Sequence, residues 1–289
     1  MKNRAPVTLF LALFVSVLGC AFRANDQTSG NNSVTFDTMV DVGGYRLYVN
    51  CVGKAILGSP TVCMDAGGFD SSAAWNMVQP GIARFTRVCV YDRAGLGRSE
   101  RRPNNSYTSQ EIVKNLHNLI VNAHIAAPFV LVGHSFGGMN VRLYASQFPN
   151  EVVGMVLVDS VHEDEMERWV AMLPAETKKQ LPASDAALRA RLAVSESQVR
   201  AANWHSDIPL IVLTHGRLSP DDYGIPSMAA KGEQLRFEMQ NALARLSSRS
   251  KHIIAEKSGH YIQRDQPELV IDAIRQVVEA TRTQARRPF

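Results

Sequence analysis

The sequence predicts an α/β fold in which a mainly parallel β-sheet is flanked by helices. Short apolar segments alternate with segments of helical periodicity along most of the 289 residues. Several of the short segments, such as "FVLVG" and "VVGMVLVDS", are apolar almost throughout, which is typical of strands buried on both faces of a sheet. The length and the lack of an internal repeat indicate one large domain.

The alternation can be followed in chain order. The predicted strands cover residues 45–53, 60–68, 86–95, 129–133, 152–160 and 208–216, and a last strand begins near residue 250. The predicted helices cover residues 109–125, 136–148, 229–246 and 266–281. Residues 161–207 are polar and helix-prone, too long for a simple crossover and too short for a core of their own. We expect them to form a small helical lid over the carboxyl ends of the strands.

The first twenty residues, "MKNRAPVTLFLALFVSVLGC", differ in composition from the rest of the chain. Two basic residues precede an apolar run at 7–18, which is too short to span a bilayer of about 30 Å and is typical of a secretion signal. The ending "VLGC" resembles the lipobox of bacterial lipoproteins, so we expect residues 1–19 to be a signal peptide and Cys20 to carry a lipid anchor. Residues 20–36 would form the tether. The alternative is a plain signal peptide, and the protein would then be periplasmic or secreted rather than held on the membrane of the envelope.

The charge pattern argues against a nucleic-acid partner. The chain carries 31 Lys and Arg against 27 Asp and Glu, a formal net charge of +4. The densest basic group, residues 98–102, lacks interleaved aromatic side chains that could stack on bases. The histidines and cysteines show no metal-ligand spacing, and no glycine-rich loop carries the lysine of a phosphate site. We therefore expect no metal and no cofactor.

A serine among glycines is the first candidate for chemistry. In "GHSFGG", Ser135 follows the strand at 129–133 and opens the helix at 136–148, which matches the G-x-S-x-G nucleophile elbow. In such a turn the backbone packs so closely that side chains at Gly133 and Gly137 would clash, and the serine takes a strained conformation. The hydroxyl is then presented above the N-terminus of the helix, where the dipole favours negative charge.

A nucleophilic serine needs a base, and His260 is the best-placed histidine. It follows the last predicted strand and precedes the final helix, in a loop that can fold back over the carboxyl end of the sheet. Three other histidines lie near the same end and stay open as alternatives, namely His162, His205 and His215. His134 is a neighbour within the elbow and is expected to point away from the site.

Together these segments resemble the α/β-hydrolase family over residues 37–281. Besides "GHSFGG", the sequence "YDRAGLGRS" is similar to the family's turn after its fourth strand, and "DAGGFDSSAAW" is similar to its HG-x-x-x-S-x-x-W segment. The resemblance implies an eight-stranded, mainly parallel sheet flanked by helices. It also places the lid, about residues 161–207, after strand six and leaves a tail at 282–289.

The resemblance has two further implications for individual residues. Ala66 stands where the family usually has a histidine, and the backbone N–H groups of Gly68 and Phe136 would form the oxyanion hole. The family's strand order places strand two beside strand four, which makes a disulfide between Cys51 and Cys89 plausible in an exported protein.

The acid of the triad is open to several assignments. In the family it usually follows the seventh strand as G-x-x-D, a position that holds a serine here, and Asp221 and Asp222 come later. A minority of members place the acid after the sixth strand, where this chain has Asp159. We choose Asp159, because a carboxylate at a strand terminus is better preorganised than one in a longer loop. The alternatives are Asp221 and Asp222, followed by Glu163 and Asp164.

These residues predict hydrolysis of a carboxylic ester, from a small-molecule or lipid-like substrate, with Ser135 as nucleophile and His260 as general base. The apolar side chains of the lid would shape the acyl pocket or pack the lid onto the body, and they are Met166, Trp169, Met172, Leu173 and Leu181. The alternatives are another bond, such as an amide, thioester, lactone or carbon–carbon bond, and a catalytically silent binding protein on the same scaffold.

Overall fold

We describe a computed structural model that covers residues 36–103, 107–179, 183–217 and 226–285. Its centre is an eight-stranded sheet with the strand order β1-β2-β4-β3-β5-β6-β7-β8. The strands are β1 (Phe36–Asp41), β2 (Arg46–Val52), β3 (Thr61–Asp65), β4 (Val88–Tyr91), β5 (Phe129–His134), β6 (Val152–Val158), β7 (Leu210–His215) and β8 (Ser250–Ala255). Strand β2 is antiparallel to both of its neighbours, and all other neighbouring pairs are parallel.

Helices lie on both faces of this sheet. The helices of the described residues are α1 (Gln79–Ala83), α2 (Ser109–Asn122), α3 (Phe136–Gln147), α4 (Glu165–Met172), α5 (Ala175–Lys179), α6 (Ala183–Ala202), α7 (Ala229–Ala244), α8 (Ile262–Asp265) and α9 (Pro267–Ala285). Single 3₁₀ turns occupy Ser72–Trp75 and Pro226–Met228. The expected fold class, a mainly parallel eight-stranded sheet flanked by helices, is confirmed.

The two faces of the sheet bury separate apolar layers. Along β5, Phe129 and Leu131 belong to one layer and Val130 and Val132 to the other, as the two-residue period of a strand requires. Side chains of α2 and α3 complete the first layer, and those of α1 and α9 complete the second. Every residue of β5 is buried, which is why this central strand is a nearly continuous apolar run in the sequence.

Two ends of the domain differ from the prediction. Strand β1 was not among the predicted strands, and it adds an antiparallel edge to β2. Helix α9 continues to Ala285, so residues 282–285 belong to the helix rather than to a tail. Arg282 anchors this last turn, because its guanidinium donates to Oγ of Ser59 at 2.6 Å and to the carbonyl of Phe85 at 2.7 Å.

The segment between β6 and β7 contains α4, α5 and α6, in line with its helix-prone composition. Helix α4 packs against α7 through a small cluster of buried apolar side chains, and the cluster includes Met166, Trp169, Leu173, Leu235 and Met239. Helix α6 contacts α2 and α3 instead. Three of the predicted lid side chains, Met166, Trp169 and Leu173, therefore hold the segment to the body of the protein.

Cys51 and Cys89 form a disulfide that joins β2 to β4. The antiparallel register sets the two residues directly opposite one another, and this is the pair that the resemblance implies. Cys63 in β3 is a free thiol within the described residues. Burial raises the pKa of Cys63 to about 12, so the thiol is uncharged at neutral pH.

Several predictions fall outside the described residues. They concern the signal peptide of residues 1–19, the lipid attachment at Cys20 with nearly all of the tether, Leu181, and the alternative acids Asp221 and Asp222. Within the described ranges, no helix combines the length and the apolar character that a membrane crossing requires.

Candidate functional site

Ser135 lies in a sharp turn between β5 and α3. Its backbone has φ 52° and ψ −122°, a conformation that side-chain-bearing residues rarely adopt. The close packing of the turn explains the glycines around it. A Cβ on Gly133 would come within 2.6 Å of the Gly138 backbone, and a Cβ on Gly137 would meet the carbonyl oxygens of Asp65 and Ala66. The close packing around the turn keeps the backbone of Ser135 in this strained conformation.

The elbow is docked onto the carboxyl end of β6. The N–H of Ser135 donates to the carbonyl of Val158 at 3.1 Å, and its own carbonyl accepts from the N–H of Val161 at 3.1 Å. The serine side chain is buried, and Oγ has no hydrogen-bond partner among the described residues. The backbone N–H and C=O of Ser135 are therefore both held by hydrogen bonds, while its hydroxyl makes none with the described residues.

His260 and Asp159 meet beside this elbow. Asp159 directly follows β6 and has a positive φ of 46°, and His260 lies in the loop between β8 and α8. Nδ1 of His260 is 2.6 Å from Oδ2 of Asp159, so the ring N–H donates to the carboxylate. The sequence places these two residues 101 positions apart, and the parallel sheet brings them to one edge.

Two cations, Arg236 and His215, also contact the Asp159 carboxylate, which is fully buried. Arg236 of α7 donates from Nη2 to Oδ2 at 2.7 Å, and His215 at the end of β7 donates from Nδ1 to the same oxygen at 2.9 Å. Burial alone would raise the pKa of Asp159. The charges of Arg236 and His215, with the hydrogen bonds from His215 and His260, instead hold this pKa well below its usual range. The carboxylate is therefore ionised at neutral pH.

His215, one of the alternative candidates for the base, is a partner of Asp159 in the structure. Burial opposes protonation of its ring, but the Asp159 carboxylate raises the pKa of His215 to about 9. Its Nε2 lies 3.4 Å from Glu233, and Arg236 also donates to Glu165 at 3.1 Å. The buried positive charges are thus balanced by three carboxylates. The only sequence signal was that His215 ends β7, the strand after which the acid usually comes.

We expected His134 to point away from the site, but in the structure its ring contacts the loop that carries His260. It is fully buried, and its Nε2 lies 3.0 Å from the backbone carbonyl of His260. Burial, and then the charge of His260, lower the pKa of His134 well below its usual range, so the neutral ring donates its Nε2–H to that carbonyl. The residue before Ser135 therefore supports the loop that carries His260.

The remaining sequence candidates are engaged elsewhere. Glu163 pairs with Arg142 at 2.7 Å, and Asp164 pairs with Arg200 at 2.7 Å. His162 accepts from the backbone N–H of Asp164 through Nδ1, and His205 contacts the carbonyl of Asn203. None of the described alternatives contacts His260 or Asp159 except His215, which is a third side-chain donor to the Asp159 carboxylate, after His260 and Arg236.

The two residues expected to form the oxyanion hole border one cavity. Gly68 follows β3, Phe136 opens α3, and both line a mostly apolar space of about 180 Å³. The other lining residues are Phe69, Arg93, Ala94, Gly95, Leu96, Tyr107, Ile112, Arg191, Leu192 and Ser195. The last three come from α6, so the segment between β6 and β7 contributes one wall of this cavity.

The chain is similar to known proteins in sequence. A family model described as alpha/beta hydrolase fold matches residues 60–206, just over half of the 289 residues. The protein YqjL of Bacillus subtilis is 28% identical over 220 residues, which cover 74% of this chain and 81% of that protein. A 2-hydroxy-6-oxo-6-(2'-aminophenyl)hexa-2,4-dienoic acid hydrolase of Metapseudomonas resinovorans is 29% identical over 150 residues, 49% of this chain and 50% of that one. The probable transporter efuK of Hormonema carpetanum is 30% identical over 129 residues, 43% of this chain, but these span only 18% of the transporter's own length.

Solved structures show the same architecture. Cfl2 from Burkholderia cenocepacia superposes with a TM-score of 0.61 at 20% identity, over 84% of this chain and 95% of that one. A thermophilic esterase from Thermogutta terrifontis superposes with a TM-score of 0.57 at 18% identity, over 87% of this chain and 100% of that one. At these identities the likeness is one of fold.

Proposed function

Since the chain belongs to the α/β-hydrolase fold family, we propose that it is a serine hydrolase that cleaves carboxylic esters through an acyl-enzyme on Ser135. One observation carries the proposal. The buried, ionised Asp159 binds Nδ1 of His260 at 2.6 Å, beside a serine held at φ 52° in the strand-to-helix turn. An acid, an imidazole and a strained serine in this order supply the base and the nucleophile that acyl transfer needs.

The reaction begins with attack of Ser135 Oγ on the ester carbonyl carbon. Because Nδ1 of His260 is engaged with Asp159, Nε2 is the atom that takes the serine proton and passes it to the leaving alcohol. Asp159 fixes the tautomer and stabilises the imidazolium that forms in between. Water then attacks the acyl-enzyme with His260 again as base, which releases the acid and restores the serine.

The oxyanion of each tetrahedral intermediate would be bound by the backbone N–H groups of Gly68 and Phe136. Phe136 is the first residue of α3, so its N–H is one of the donors that a helix leaves unsatisfied. Removing one such donor typically costs about a hundredfold to a thousandfold in kcat. The adjoining cavity of about 180 Å³ would receive the acyl group. It is smaller than the roughly 300–1,000 Å³ of clefts for drug-sized ligands, which favours short or compact acyl groups.

We further propose that the protein is exported, with Cys20 as its lipid-bearing N-terminus. The short apolar run and "VLGC" at residues 17–20 support this, and the disulfide between Cys51 and Cys89 is consistent with an oxidising compartment. Under this proposal the substrate is a small-molecule or lipid-like ester met at a membrane surface of the bacterial envelope.

A p-nitrophenyl ester series from acetate to palmitate tests the proposal, with Ser135→Ala as the control variant. We expect turnover with the wild type, the highest kcat/KM on a short chain, and loss of activity in Ser135→Ala with an unchanged melting temperature. Stoichiometric labelling of Ser135 by a fluorophosphonate would identify the nucleophile directly. Folded wild-type protein that neither turns over any ester nor takes the label would refute serine esterase chemistry and favour the silent binding protein.

A further inference from the structure

The segment after β3 is held by a guanidinium where the family usually has a histidine. Ala66 cannot hold the segment through its side chain. Arg93, which follows β4, lies against it instead, and its side chain is only 6% exposed. Arg93 also belongs to the "YDRAGLGRS" turn, which the proposed reaction leaves without a task.

The contacts of Arg93 run along four consecutive residues. Nη1 donates to Oδ1 of Asp65 at 2.8 Å and to the carbonyl of Ala66 at 2.7 Å. Nη2 donates to the carbonyl of Gly67 and, at 2.9 Å, to the carbonyl of Gly68. All four N–H groups of the two terminal nitrogens are therefore directed at this segment, and the planar fork fixes the orientation of three carbonyls at once.

One of these carbonyls shares a peptide group with a proposed oxyanion donor. The C=O of Gly67 and the N–H of Gly68 belong to the same peptide plane, and in a trans peptide they point in opposite directions. A cation bound to the carbonyl therefore aims the N–H away from Arg93. It also draws electron density toward the oxygen, which makes the N–H a stronger donor, because hydrogen bonds along a chain polarise one another.

The segment is also tied to the nucleophile elbow. Asn140 of α3 donates to Oδ2 of Asp65 at 2.9 Å, while Arg93 occupies Oδ1 of the same carboxylate. The Arg93 guanidinium lies 5.7 Å from the centre of the Phe136 ring, beside the second proposed donor. One buried side chain thus touches the elements that carry both N–H groups of the hole.

We propose that Arg93 is a positioning residue that orients and polarises the Gly68 N–H for the tetrahedral oxyanion. The inference rests on the proposed function, because it assigns a task within that reaction. It predicts that substituting Arg93 destabilises the transition state and leaves substrate binding nearly unchanged. The defect should depend on the geometry and the charge of the guanidinium, and not only on the stability of the fold.

The test compares Arg93→Lys with the wild type on the best p-nitrophenyl ester, with active sites counted by fluorophosphonate. Lysine keeps the charge beside Asp65 but cannot reach four acceptors. We expect kcat to fall about tenfold to a hundredfold, a fraction of the loss of a whole oxyanion donor, with KM within about threefold. Arg282→Lys is the matched control. It removes a guanidinium that also binds a backbone carbonyl, but at the amino ends of the strands, so its kcat should equal that of the wild type.

A rescue experiment separates a positioning role from a structural one. In Arg93→Ala, guanidinium at concentrations far below denaturing should raise kcat several-fold, while urea, which is planar but uncharged, should not. If Arg93→Lys has the kcat of the wild type, the inference about Arg93 is wrong, whether or not Arg93→Ala folds. The proposed function would be unaffected by that result. Wild-type protein without any Ser135-dependent turnover would overturn the proposed function, and this inference with it.

Discussion

Replacing Asp159 by a neutral side chain of the same shape distinguishes the effect of its charge on the reaction from its effect on the packing of the fold. In Asp159→Asn the amide can still accept a hydrogen bond from His260, but the negative charge opposite the imidazolium is lost. Asp159 is fully buried and the His260 side chain is 14% exposed, so solvent screens this pair weakly. The loss should therefore appear in the step that builds positive charge on His260.

The size of the effect follows from the geometry. Nδ1 and Oδ2 are 2.6 Å apart, which places the centres of the two charges about 4 Å apart. At an effective dielectric constant of about 20, charges at this separation interact with about 4 kcal/mol. At about 1.36 kcal/mol per tenfold, we expect kcat to fall about a thousandfold. KM should change little, because the substrate carbonyl is uncharged before the attack.

The assay is kcat on a short p-nitrophenyl ester, corrected for active sites and accompanied by a thermal melt of each variant. Asp222→Asn and Asp221→Asn are the matched controls, since both were candidates for the acid. A wild-type-like kcat in Asp159→Asn, with a thousandfold loss in either control, would refute our assignment of the acid and the reasoning from charge.

Three other measurements test the site and the fold. Ser135→Gly should be more stable to denaturant than Ser135→Ala by about 1 kcal/mol, because glycine tolerates φ 52° and alanine does not; equal stabilities would mean that the turn stores no strain. The pKa of His215 is raised to about 9 from an unfolded value of about 6.5, so its stabilisation, roughly 3 kcal/mol, is complete below pH 6.5 and is lost as the pH rises through 9. The free energy of unfolding should accordingly fall over this range by more in the wild type than in His215→Gln, and parallel pH curves would contradict the charged state of His215. The double variant Cys51→Ala/Cys89→Ala should lose up to about 4 kcal/mol in a guanidinium melt, since the bond closes a loop with a sequence separation of 38; an unchanged midpoint would show that the unfolded chain gains nothing from the lost cross-link.

The strands and the strand-to-helix turn at Ser135 were predictable because both depend on local rules. The elbow needs glycine on either side of Ser135 for steric reasons, and these residues stand next to it in the chain. The central strand β5 is buried on both faces, so its apolar run is visible without any partner. The edge strand β1 carries a weaker signal because it is only partly buried, and it was missed.

The surroundings of Asp159 could not be predicted, because they depend on how distant elements pack. Arg236 reaches Asp159 only once α7 lies across the ends of β6 and β7, 77 positions along the chain. The partnership of His215 with Asp159 likewise arises from the lateral pairing of β6 with β7. We chose Asp159 over the other carboxylates only because it lies at the end of a strand. No pattern in the sequence indicated that two cations would bind the same oxygen of its carboxylate.

The presence of the bond between Cys51 and Cys89 also indicates whether a given molecule folded in an oxidising or a reducing compartment. Cys63 is buried and its pKa is raised to about 12, so folded protein lacking Cys20 should show no reactive thiol if the bond has formed. Unfolded without reductant, the same protein should show one thiol, whereas a chain kept in a reducing cytosol should show three. Counting thiols on a Cys20→Ala variant produced in the protein's own host therefore reports whether the chain reached an oxidising compartment, independently of lipid attachment at Cys20.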